Sequence, residues 1–141
     1  MVGVCPLAGK LNVRQPLNPF LWSNMKPLTT ILINVKGSDW TFKLFTDRAF
    51  NKLHNPTGEE NNAAMTLLNI REVHFSKSDW CLVDLRHELV HVFYAMTHTS
   101  SSDHDPLQVE ETIAEIIGQN YSEIGVISDK VAERFFNYNK D

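Results

Sequence analysis

Apolar residues recur along this chain with two periods, and the change from one to the other lays out its elements. Leu28 to Lys36 is rich in β-branched residues and ends at Gly37-Ser38-Asp39. Trp40 to Thr46 then alternates large apolar and polar residues. That pattern predicts a strand, a turn and a second strand, with Trp40, Phe42 and Leu44 facing a core. Ala49 to Leu53 reads as a short piece, helical or extended, and His54 to Asn62 has the composition of a loop. Ala63 to Asn69 leans towards strand at its end, and Arg71 to Ser76 alternates again as a strand. From Asp79 to Thr97 the period becomes helical, with Leu82, Leu85, Leu89, Phe93 and Met96 on the core side. Ser76 or Ser78 is placed to cap that helix, and Asp79 suits its first turn. A polar loop runs from Thr97 to Asp105. Pro106 then stands ahead of a second helix, Leu107 to Ile124, closed by Gly125. Ser128 is placed to cap a final helix reaching Asn139, with Val131, Phe135 and Tyr138 as its apolar stripe.

These elements predict one α+β domain over residues 28–141. Residues 1–27 carry four of the six prolines, a spacing that forbids a long helix and disfavours a central strand. They read as an extended arm pinned by Phe20, Leu21 and Trp22. A length of 141 residues suits one domain with one core. The net charge of −4 gives no electrostatic case for nucleic-acid or membrane binding. No apolar run approaches the roughly 18 residues that span a bilayer. The start of the chain is a poor secretory signal, because it lacks a basic segment and is broken by Pro6. Cys5 and Cys81 do not make a disulfide scaffold, so a reducing cytoplasm is the expected compartment and Cys81 a small core residue.

The chemistry concentrates at His87-Glu88-Leu89-Val90-His91. Positions four apart share a helix face, so both imidazoles are able to reach one metal ion. Glu88 lies about 100° round the helix from His87. It flanks the ion without being forced onto it, where a carboxylate accepts a proton from metal-bound water. Asp84, His87, Glu88 and His91 form a stripe that is expensive to bury without a partner, and a metal would provide one. Five residues with three fixed are also easily matched by chance, and histidines in an apolar helix are often core residues with satisfied nitrogens.

A catalytic zinc takes three protein ligands and keeps one position open. The metzincin pattern needs glycine and histidine three and six residues past His91, where Tyr94 and Thr97 stand, so His98 does not complete it. Glu111, twenty residues past His91, lies in Glu110-Glu111-Thr-Ile-Ala-Glu115. Here the chain resembles the gluzincins, the thermolysin-like zinc peptidases, and most closely their short single-domain members from phages and prophages. The resemblance covers roughly Trp40 to Ile124. It implies a zincin-like domain in which a few-stranded, mainly antiparallel sheet packs on the HExxH helix and a following Glu-bearing helix, with a C-terminal helix after them. It implies Zn²⁺ held by His87, His91 and Glu111, with Glu88 as the catalytic base. It implies too that Glu115, and less directly Glu110, hold a ligand histidine by its outer nitrogen. Glu115 stands where those enzymes carry aspartate.

The function so implied is a zinc-dependent peptidase acting on a protein or peptide through a water activated by Glu88. The strand Arg71–Ser76 would be a sheet edge able to pair with an extended substrate. His104, thirteen residues past His91, keeps open a SprT-like protease with three histidine ligands, although the Glu-rich helix then has no role. Two further alternatives are a metal-binding interaction module with little or no catalysis and a fold with a structural zinc. Intact Glu88 speaks against the last, because a structural site needs no base.

Overall fold

A computed structural model describes residues 25–97 and 106–138. The arm through residue 24, the loop bearing His98 and His104, and Asn139 lie outside the described residues.

The predicted hairpin forms from β1 (Thr29–Val35) and β2 (Ser38–Phe45), antiparallel, with Val35 opposite Ser38. Its two-residue loop has Lys36 at φ 50° and Gly37 at φ 90°. Two positive φ values give the turn whose twist matches that of the strands it joins. Ser38 and Asp39, expected in the turn, therefore open β2. The short piece after β2 is a helix, α1 (Asp47–His54), capped by Thr46, whose hydroxyl oxygen accepts from the Ala49 N–H at 3.1 Å. Two strands follow, β3 (Ala64–Leu67) and β4 (Glu72–Ser76), paired antiparallel.

The sheet order is β1-β2-β4-β3, with β4 parallel to β2. The sheet is mixed and mainly antiparallel, and the α+β class is as expected. The strand leading into the histidine helix is, however, internal rather than an edge. The connection from β2 runs through α1 and β3, so the chain returns parallel beside β2 while β3 folds onto its other side. Among the described residues the sheet edges are β1 and β3.

Strand alternation divides the side chains between two cores. Trp40, Phe42, Leu44, Val73 and Phe75 face one way, all fully buried. They meet two helices, α2 (Leu82–Thr97) and α3 (Pro106–Tyr138). Each such side chain contributes roughly 1.5–3 kcal/mol by leaving water. Phe45, Met65 and Leu67 face the opposite way, where Phe50 and Leu53 of α1 cover them.

On that second face His54 Nε2 lies 2.9 Å from His74 Nδ1, and His74 Nε2 lies 2.7 Å from Glu72 Oε1. Lys43 Nζ donates to Glu72 Oε2 at 2.9 Å. Burial keeps His74 below its usual pKa although Glu72 acts the other way. A neutral His74 that donates to Glu72 presents a bare Nδ1, so His54 must donate to it. The row thereby ties α1 to the sheet.

The two C-terminal helices expected from Gly125 and Ser128 are one continuous helix of 33 residues. A glycine inside a helix costs only about 1 kcal/mol. The stripe Ile116, Ile124, Ile127, Val131 and Phe135 buries more than that on either side of Gly125. Ser128 caps nothing: its hydroxyl donates to the Gly125 carbonyl inside the helix at 2.9 Å.

Candidate metal centre

The histidine helix starts later than its pattern suggested, and its start sets the direction of every side chain after it. Ser76 and Ser78 are engaged elsewhere: the Ser76 hydroxyl and the Ser78 N–H both donate to Asp47 Oδ1 of α1. Cys81 takes the capping position, its carbonyl accepting from the Leu85 N–H at 3.0 Å. Asp84, three residues on, reaches back to accept from the Cys81 N–H at 3.0 Å and from its thiol at 3.2 Å. This is one half of a capping box, and its charge sits favourably in the first helical turn. Leu82, expected in the core, is exposed at the helix start, while Val92 is fully buried.

One face of α2 is then locked to the core by Leu85, Leu89, Val92 and Phe93. The neighbouring face brings His87, Glu88 and His91 together, with one ligand atom from each within 4.8 Å of the others. His87 Nε2 and His91 Nε2 are 3.1 Å apart, their rings at 75°. A tetrahedral zinc with Zn–N near 2.0–2.1 Å separates two imidazole nitrogens by roughly 3.3 Å. The pair is therefore within a few tenths of an ångström of a two-toothed chelate. Both rings are held neutral, the form that binds metals. Burial lowers His91 to about 4, with His87 adding to it, and burial lowers His87 against the pull of Asp84.

Glu88 is buried beside them, its Oε2 at 3.7 Å from His87 Nε2. Its Oε1 accepts from the Thr66 hydroxyl of β3 at 2.8 Å. Burial pushes its carboxyl up to about 7, against the Thr66 hydrogen bond and with the help of the Asp84 charge. Among the described residues the basic group within ion-pair reach is His87, which is neutral. Two imidazole nitrogens converging beside a buried carboxyl group make a donor set able to hold a metal ion.

Glu111 does not join this group. Glu110, Glu111 and Glu115 are exposed on α3. Helical spacing puts Glu111 about 140° round from Ile116 of the buried stripe. The structure thus brings His87, Glu88 and His91 together. Among the described residues no further His, Cys, Asp or Glu joins them, and His104 lies outside those residues.

Thr66 carried no role in the sequence reading. The available signal was a lone hydroxyl between Met65 and Leu67 in an otherwise apolar stretch. The His54–His74–Glu72 row was likewise missed, because its members come from a loop-like stretch and a separate strand. No family model, curated protein or solved structure matches the chain.

Proposed function

We propose that this chain is a small zinc-dependent peptidase of zincin-like construction, acting on a protein or peptide in a reducing, cytoplasmic compartment. One observation carries the reading: a buried carboxylate beside two neutral imidazoles whose Nε2 atoms converge. His87 and His91 would hold the ion. A zinc ion bound there supplies Lewis acidity towards a carbonyl oxygen and a water. Glu88 takes the proton of the attacking water at Oε2 and delivers it to the leaving amine. Its pKa, raised by burial, suits it to hold and release that proton near neutrality. The outer side of β3, a sheet edge among the described residues that touches the site through Thr66, is where an extended peptide would add as a further strand.

The third ligand is Glu111 in the gluzincin form of the proposal and His104 in the SprT-like form. A second reading, a metal-binding interaction module without catalysis, is favoured by the exposure of Glu111 outside the donor group. The test begins with elemental analysis of protein purified without added metal, where about one zinc per chain is expected. E88Q should then keep the zinc and lose hydrolysis of fluorescein-labelled casein. Equal turnover by E88Q and wild type would remove the catalytic role, and absence of any transition metal would remove the site. E111A weakening zinc more than H104A selects the gluzincin form; the reverse order selects the other.

A further inference from the structure

Thr66 belongs to a four-residue edge strand in which all positions are buried. By register with β4, Ala64 and Thr66 share the face of Phe75 and Val73, towards α2, while Met65 and Leu67 face α1. A hydroxyl on that face costs stability unless it is bonded. Valine would fill the same volume without that cost. The Thr66 hydroxyl has its partner in Glu88 Oε1 at 2.8 Å. A β-branched side chain has few rotamers, so the donor is stiff. Thr66 and Glu88 come from the sheet edge and the helix, 22 residues apart, so the bond crosses the layers of the fold.

The bond also commits one oxygen and not the other. Oε1 is held by the strand, while Oε2 stays on the His87 side at 3.7 Å. A Glu88 carboxylate released from the strand has the reach to become a ligand itself, because it already stands within the donor group. We infer that Thr66 is a positioning residue that holds Glu88 back from the cation, keeping it a base with one working oxygen rather than a third ligand. This rests on the peptidase reading for its consequence in turnover, but the geometry it concerns is readable from metal binding alone.

The experiment compares wild type, T66V and T66S, each loaded with Zn²⁺ or Co²⁺. T66V should bind zinc at least as tightly as wild type by chelator competition. Its cobalt absorption bands should weaken as a further carboxylate oxygen raises the coordination number. Its turnover of labelled casein should fall roughly 10- to 100-fold at unchanged KM, the penalty of a misplaced catalytic group. T66S keeps the hydroxyl and should restore both the cobalt spectrum and most of the turnover. A T66V protein with the wild-type cobalt spectrum and wild-type turnover overturns the inference. So does one whose zinc affinity and thermal stability fall together, the mark of a merely structural bond. Wild-type protein that takes up neither metal would instead sink the metal centre itself. Wild-type protein that binds both metals without hydrolysing casein, with T66V still altering the cobalt spectrum, would sink only the peptidase reading.

Discussion

Glu88 pairs a high degree of burial with a charge that no side chain among the described residues neutralises, and the consequence has a definite sign. Its folded pKa is about 7, against an ordinary value of 4.5. Between those values the folded chain keeps a proton that the unfolded chain has released, so Glu88 lowers stability as pH rises through the window. Above it the cost levels off, at an upper figure of about 3 kcal/mol. Metal-free E88Q should therefore be more stable than metal-free wild type at pH 8 and equal to it near pH 4, as read by urea unfolding. Equal stability at both values would mean the carboxylate is better solvated than its burial indicates. At this scale the sequence disclosed what lies within one helical turn. His87, Glu88 and His91 were legible because the four-residue spacing fixes their common face whatever else the chain does. Thr66 was not, because its contact with Glu88 depends on where β3 lands. Glu111 shows the same limit from the other side. Its distance along the chain from His91 suits a ligand, but helix phase directs the side chain, and that phase follows the buried stripe through Ile116.

Elements were read well where one face is buried and poorly where a local signal competes with a long stripe. Trp40, Phe42 and Leu44 declared a strand because alternation has no other solution, and all three are fully buried. Gly125 and Ser128 looked like the end of one helix and the start of the next. The apolar stripe of α3 overrides them both, since it runs on in phase from Ile116 to Phe135. The strand before α2 was read correctly as a strand but placed wrongly in the sheet. Strand order is decided by which connection folds over which face, and alternation within one strand carries no trace of that. The continuity of α3 can be tested through its glycines. A Cβ built at Gly118 or Gly125 meets nothing within 4 Å, and both have ordinary negative-φ helical backbones. G118A and G125A should each stabilise the protein by roughly 0.5–1 kcal/mol in chemical unfolding, through helix propensity and a less free unfolded chain. A helix that ended at Gly125 with that residue in the left-handed region would give G125A the opposite sign.

Across the whole molecule, the sheet separates two polar assemblies that respond to acid in the same direction. His87 and His91 lie on the α2 side and His74 on the α1 side, and burial is the first cause of the lowered pKa of all three. With folded values below the ordinary 6.5, each group is uncharged in both states at high pH and favours the unfolded chain once that chain begins to protonate. Stability contributed by their neutral burial is present above pH 6.5 and is lost progressively as pH falls, down to about 4 for His91. A bound cation competes with the same protons. It also supplies the positive charge that Glu88 lacks, so metal and neutral pH should stabilise together. Zinc at one hundred times its Kd contributes about 2.7 kcal/mol to unfolding. In a chain of this size that corresponds to a rise in Tm of roughly 10 °C. The rise should appear at pH 7.5, be reversed by a chelator, and shrink towards zero near pH 4, where His91 takes up its proton. H87A or H91A should abolish it at every pH. A thermal scan at pH 7.5 that is indifferent to both zinc and chelator would leave the two imidazoles as a hydrogen-bonded pair inside an ordinary core.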